Sequence, residues 1–268
     1  MSSNLPAVSP EFLLAFLALT SRFHPTLSSH HSPMSSSRPS NPLLAAEYYA
    51  TACKARLAKS EDSGKPPDLS RVQVCLMLAF HEWGNCEGVK AWKFLGEAVR
   101  CAQLIGLHLD LSDQTLLKNS LVQPAGQQQQ PSGGSFEDAC IEAEAQRRTL
   151  WSCYLLERCL SSGVFRPAAL RNGDIKIQLP SSERSFLFGQ RVRTALISDA
   201  LTDFHGVLNG EGGEARPGGS VSSPSYENSA DADAVWETGT QEGIVSRCIK
   251  ASEVYNQVVK WACAGGRL

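Results

Sequence analysis

The chain has 268 residues, a net charge of −2 and 42% hydrophobic content, enough to bury one sizeable core. Its densest basic points, Arg147-Arg148 and Arg191/Arg193, are single turns, so no basic stripe exists with which these residues could grip DNA by themselves. The longest apolar run, Phe12 to Leu19, has eight residues, against roughly 20 for a membrane-crossing helix, and Glu11 before it, with no Lys or Arg upstream, argues against a secretory leader.

Ser9-Pro10-Glu11 reads as a helix start, Ser as cap and Pro at the first helical position. The helix that follows is apolar nearly all round, which predicts burial. Residues 28–40, rich in Ser, Pro and His, are expected to be flexible. His30-His31 has no acidic or cysteine neighbour and is a poor metal site. Asn41-Pro42 opens a second helix to about Ala58, with Leu44, Tyr48, Ala52 and Ala55 on one face. Asp68 caps a third, Leu69 to about Glu82, whose stripe is Val72, Leu76, Ala79 and Phe80, and Gly84-Asn85 ends it. The fourth, about Glu87 to Ile105, repeats Trp92, Leu95, Val99, Ala102 and Ile105. Gly96 at its middle costs about 1 kcal/mol against Ala, which a close helix crossing would justify. Gly106 is a natural helix stop, and His108 after it takes a core or capping role.

Residues 122–135 are low in complexity and expected to be flexible. A fifth helix runs from about Phe136 to Leu160, an irregular loop from 161 to 180, and a sixth helix from about Glu183 to Leu208. Residues 209–234, full of Gly, Ser and acid, are expected to be disordered. A last helix, about Glu242 to Ala262, carries Ile244, Ile249, Val254, Val258 and Trp261. No strand pattern stands out. The expected fold is all-α, an irregular bundle of αα-hairpins with long disordered loops.

Chemistry-bearing patterns are absent. There is no phosphate loop, no dinucleotide fingerprint, no paired-histidine zinc helix and no nucleophile elbow. The nine cysteines are odd in number and no two are three apart, which fits reduced thiols serving as small hydrophobes. No enzyme activity is expected.

The most informative stretch is Glu142 to Pro180. Arg147 lies three before Leu150 and four before Trp151, so a guanidinium continues an apolar stripe and needs a partner. Upstream, residues 91–110 read AWKFLGEAVRCAQLIGLHLD. Trp92, Leu95, Gly96, Ala98, Arg100 and Ala102 are followed by Gly106, Leu107 and His108. Glu142, Glu144, Arg147, Arg148, Leu150 and Trp151 come next, then Arg166 and Pro167, then Asp174, Ile175, Leu179 and Pro180. In order and spacing this resembles the regulatory domain of fungal zinc-cluster transcription factors, the middle homology region of xylanolytic-activator type. The resemblance is clearest over 69–180. Two departures stand out. Phe165 replaces the family's glycine before Arg-Pro, with Gly163 two residues earlier, so the turn there is expected to be reshaped. The six-cysteine DNA-binding element is also missing.

The resemblance implies a regulatory domain spanning 1–268, incomplete, in a nuclear protein that controls DNA-templated transcription. DNA would be reached only through the zinc-cluster domain, and zinc is implied only there, with no cofactor in this chain. A small-molecule effector or a co-regulator protein is the implied partner, with no membrane. The contrasting class is an all-α scaffold or protein-interaction module without a transcriptional role. The family-motif positions Trp92, Gly96, Arg100, Glu144, Arg147, Arg148, Trp151, Arg166, Pro167 and Asp174 are expected to be structural. Arg147 or Arg148 is expected to pair with an acid from another element, Glu97 and Asp174 being the first candidates. Trp92, Leu95, Val99, Leu150, Trp151 and Leu155 are expected to share one core, and Arg166-Pro167 to anchor the loop to the bundle.

Overall fold

Side chains and backbone are described here for residues 8–33, 41–61, 64, 66–110, 136–161, 166–199 and 235–266 of a computed structural model. The chain divides into two compact units, Met1–Gly106 and Leu107–Leu268. The stretches 122–135 and 209–234, most of 28–40, and the Gly163–Phe165 turn lie outside the described residues.

In the first unit, Ser9 caps α1 (Pro10–Thr20) by accepting from the Phe12 amide, as the sequence predicts. Burial of α1 is one-sided. Ala15 and Ala18 are enclosed while Leu13 and Phe16 remain 49% exposed, so the expectation of an all-round buried helix is corrected. Residues 28–31, expected to be flexible, instead finish α2 (Pro25–His31). On α3 (Pro42–Glu61) the buried stripe is Ala46, Ala50, Cys53 and Leu57, and Leu44 and Tyr48 face out. This reverses the predicted face. Close packing against α1 selects the small side chains, a preference that hydrophobicity alone does not carry.

Asp68 caps α4 (Leu69–Gly84), and α4 packs against α5 (Gly88–Leu104) as the expected αα-hairpin. Its turn is a Schellman motif: the Glu87 amide donates to Glu82 O and the Cys86 amide to Trp83 O. The left-handed position falls on Cys86, φ 62°, rather than on the predicted Gly84. A Cβ there costs roughly 1–2 kcal/mol. Leu95, Val99 and Ala102 are buried on α5, but Trp92 is 42% exposed. Gly96 is exposed too, and a Cβ on it would meet nothing within 4 Å, so no close crossing explains it among the described residues. Arg71 pairs with Glu97 across the hairpin at 2.6 Å.

In the second unit, α6 (Phe136–Leu160) has the predicted bounds. The segment 166–182 follows it, with a 3-10 turn at Asn172–Asp174. The predicted sixth helix, Glu183 to Leu208, is interrupted: α7 covers Glu183–Leu187, residues 197–199 are helical again, and 200–208 lie outside the described residues. Gly189 stops α7 at φ 58°, with its own amide donating to Phe186 O and the Gln190 amide to Ser185 O, a second Schellman closure. After it, β1 (Val192–Arg193) pairs in parallel with β2 (Val235–Trp236), in register Val192↔Val235 and Arg193↔Trp236. This two-residue ladder is the strand that the sequence reading did not expect. The final α8 (Ile244–Cys263) buries Ser246, Ile249, Glu253 and Asn256, while Ile244, Val258 and Trp261 are exposed, so its inner face is also corrected. Gly243 at its start lies where a Cβ would stand 2.7 Å from Ser181 O, which excludes any larger residue without backbone movement.

The core of this unit is Leu150, Trp151, Tyr154, Leu156, Leu170, Leu179, Ile197 and Ile249. The predicted common core therefore divides between units: Leu95 and Val99 are buried in the first, Leu150 and Trp151 in the second, and Leu155 is only half-buried.

Candidate functional site

Residues 144, 148, 151, 154 and 158 follow one another along α6 at spacings of four, three, three and four, so they lie on one helical face. This face holds the segment 166–183 by its backbone. The buried Glu144 carboxylate accepts from the Ser181 amide at 2.9 Å, from Arg148 Nε at 3.1 Å and from Arg147 Nη1 at 2.6 Å. Arg148 also donates to Ser181 O at 2.9 Å, stands 3.4 Å from Glu183, and stacks over Phe186 at 4.5 Å. The Trp151 indole, fully buried, donates to Gln178 O at 2.8 Å.

One turn on, Glu157 accepts from the amides of Ala169 and Leu170 at 2.7 and 3.0 Å. Arg158 donates to Leu170 O at 2.9 Å, to Asn172 Oδ1 at 3.2 Å and to Glu253 Oε2 at 3.0 Å, and its guanidinium covers the Tyr154 ring at 4.1 Å. The Tyr154 hydroxyl lies 2.6 Å from Glu253 and 2.8 Å from Asn172. Burial pushes the Tyr154 phenol up, and Glu253 adds to that by holding the proton on it. Burial also raises Glu253, but the Tyr154 hydrogen bond and the Arg158 charge outweigh it and hold the carboxyl below its usual range. The network ties α8 to α6 through ionised groups.

Of the predicted positions, Glu144, Arg147, Arg148 and Trp151 form this lattice. Arg148 reaches an acid of another element, but that acid is Glu183. The expected partners are otherwise engaged or placed, Glu97 with Arg71, and Asp174 exposed on its 3-10 turn. Arg166 donates to Leu160 O at 3.4 Å, joining the start of the loop to the helix end, and Pro167 is exposed beside it. Trp92, Gly96 and Arg100 belong to the first unit, where Arg100 is exposed and donates to Gln103 at 3.0 Å. His108 gives its carbonyl to the Lys176 amide at 2.8 Å. Burial lowers its imidazole, and Asp174 opposes that only in part.

The sequence reading missed Glu157, Arg158, Asn172, Glu253 and Asn256. The first two had a signal: a Glu-Arg pair inside the apolar run Tyr154–Leu160 of a buried helix. Together with α8, the loop and the end of α6 border an open pocket of about 650 Å³, lined by Arg158, Arg166, Leu170, Asn172, Glu253 and Asn256 among others.

The residues present do not fit the family's zinc cluster. No two cysteines are three apart in sequence, and among the described residues no three His, Cys, Asp or Glu side chains gather into a metal site. Cys53, Cys75, Cys101 and Cys153 are buried, and burial pushes the Cys53 thiol up to about 11, which fits the reading of inert core thiols there. Cys86, Cys159, Cys248 and Cys263 are exposed.

The lattice has a measurable weight. Glu144→Ala removes one carboxylate serving three donors and leaves two arginines short of a partner. The expected loss is about 2–3 kcal/mol, read by urea unfolding. Glu144→Gln keeps an acceptor for Ser181 and should lose less.

Among known proteins, the Zn(2)-C6 fungal-type transcription factor FTF1c of Fusarium oxysporum f. sp. lycopersici is 34% identical over 131 residues, 49% of this chain and 13% of that protein. Two uncharacterized transcriptional regulatory proteins of Schizosaccharomyces pombe also match. PB1A11.04c is 29% identical over 203 residues, 74% of this chain and 24% of its own length. C1327.01c is 33% identical over 185 residues, 69% of this chain and 17% of its own length. The chain thus spans between 13% and 24% of the length of these relatives. No solved structure matches it. With a family match running over residues 2–262, the chain belongs to the family described as the fungal specific transcription factor domain.

Proposed function

We propose that this chain is the regulatory, non-DNA-contacting part of a nuclear transcription factor. It governs transcription from DNA that a zinc cluster outside these 268 residues contacts. The observation that carries the reading is the family match over residues 2–262, with relatives named as transcription factors. The absence of a basic stripe and of paired cysteines supports assigning DNA and zinc elsewhere. The bundle acts by restraining or releasing activation, which requires an effector or co-regulator with unequal affinity for two states.

The test places the chain between a heterologous DNA-binding domain and a strong activation domain, driving a reporter gene in yeast. Output several-fold different from a fusion carrying an unrelated helical domain of equal size is expected, and Trp151→Ala should abolish the difference. Equal output from the two fusions would overturn the reading and leave an interaction module without a transcriptional role.

A further inference from the structure

The last helix carries its apolar row on the outside. Inward, α8 turns Ser246, Ile249, Glu253 and Asn256, all buried. Outward, Ile244, Cys248, Ala251, Tyr255, Val258 and Ala262 follow one another at spacings of four, three, four, three and four, which sets them in one line along the helix. All six are exposed, Ile244 at 67%, Tyr255 at 63% and Val258 at 56%. The helix has 20 residues and is about 30 Å long at 1.5 Å per residue, so the row runs nearly its whole length. A single exposed apolar side chain needs no account. A continuous row does, and alternation of three and four is the spacing of a helix–helix seam.

Charge and size decide what covers the row. None of its members is charged. The cations beside it are turned to their own chain: Arg247 donates to Gly239 O at 3.2 Å and Thr240 O at 2.8 Å, and Lys250 pairs with Glu242 at 2.6 Å. A charged partner surface therefore meets no counter-charge along the seam, whereas a second copy brings the same uncharged row. The spacing also reads the same in both directions. An antiparallel copy, with its two-fold axis at the level of residue 253, places Ile244 opposite Ala262, Cys248 opposite Val258 and Ala251 opposite Tyr255. Each contact sets a larger side chain against a smaller one, and each occurs twice, once on either side of the axis. A parallel copy would set Tyr255 on Tyr255 and Ala251 on Ala251, alternating crowding with gaps. The antiparallel register also brings Arg247 opposite the exposed Trp261, a cation facing an aromatic ring rather than a like charge.

We propose that the outer face of α8 docks a second copy of this chain, the two helices packing antiparallel along the row from Ile244 to Ala262. The inference uses only the surface of α8 and stands apart from the transcriptional reading.

The experiment is sedimentation equilibrium of the 268-residue chain over a wide range of micromolar concentrations, in reducing buffer so that exposed cysteines do not cross-link. The mass should rise with concentration toward twice that of one chain. Tyr255→Glu and Val258→Asp change exposed positions, so helix content and the urea midpoint of the dilute protein should be kept while dimerisation weakens at least tenfold. Phe16→Glu, at an exposed apolar position of the first unit, is the control and should leave the mass unchanged. Direction is read by a double-mutant cycle. Ala251→Lys combined with Tyr255→Glu sets lysine opposite glutamate at two places in the antiparallel seam, so the combined loss should fall at least fivefold short of the product of the single losses, and salt should shrink that recovery. A monomer at every concentration would overturn the proposal and leave the row to a different partner. Association that survives Tyr255→Glu and Val258→Asp, or that Phe16→Glu abolishes, would overturn the surface. Losses that simply multiply in the double variant would overturn the antiparallel register. Because mass is read without a reporter, failure here is separable from failure of the transcriptional role.

Discussion

Trp151→Ala should cost about 3–5 kcal/mol, near the upper end for a single core truncation. The side chain is fully buried, meets Tyr154 edge to face at 5.1 Å, and closes the centre of the second unit with Leu150 and Leu179. Two losses combine. Removing the indole leaves a cavity whose walls, α6 on one side and a tethered loop on the other, cannot easily collapse. It also strips Gln178 O of its donor, in a stretch where the neighbouring backbone is held by Glu144 and by Ala195. Trp151→Phe separates the terms, since it keeps most of the apolar volume and loses the hydrogen bond, so its cost should be clearly smaller. Urea unfolding of the two variants reads both. A loss under 1 kcal/mol for Trp151→Ala would mean the indole is not buried as described.

How far this centre was legible in the sequence depends on which side chains do the holding. Helix starts were readable because Ser9 and Asp68 carry their own capping oxygens. The bounds of α6 were readable from a long amphipathic period. The buried faces of α3 and α8 were not, because the inner stripe is alanine and cysteine in one and Ser246, Glu253 and Asn256 in the other. A hydrophobic-stripe reading turns both helices the wrong way. The end of α7 was written in Gly189, but the apolar residues beyond it gave a helical period that the glycine interrupts. The arginine on the Trp151 stripe correctly signalled a need for a partner. It could not say that the partner of Arg147 would be Glu144 on the same helix, or that Arg148 would reach Glu183 beyond the loop, since the second pairing depends on how segment 179–183 folds back. The β1–β2 pair is two residues long and joins positions 192–193 to 235–236, below what any local pattern can announce.

The second large effect is expected at Glu253. Glu253→Ala leaves the buried Arg158 with only the more distant Glu157, at 3.5 Å, as counter-charge and Tyr154 with only Asn172 Oδ1 as acceptor, and should cost about 3–5 kcal/mol. The cost is the poorly compensated charge rather than the value of the pair. Arg158→Met combined with Glu253→Leu should therefore recover most of it, as apolar replacements of buried pairs do. Acid should reproduce the single substitution. The Glu253 carboxyl is held below its ordinary 4.5, so the unfolded chain takes up the proton first as pH falls. The contribution is complete above that value and disappears as pH drops through the lower, folded one. The gap in unfolding free energy between the native chain and Glu253→Gln should be widest at neutral pH and close as pH falls below 4.5 and through the lower folded-state value. His108, lowered by burial, adds a loss of the same sign, which begins as pH falls below its ordinary 6.5. Glu253→Gln leaves that loss unchanged, so it drops out of the comparison. A gap that stayed constant from neutral pH to pH 3 would show that Glu253 is not ionised against Arg158 in the folded protein. The link between α8 and α6 would then rest on packing alone.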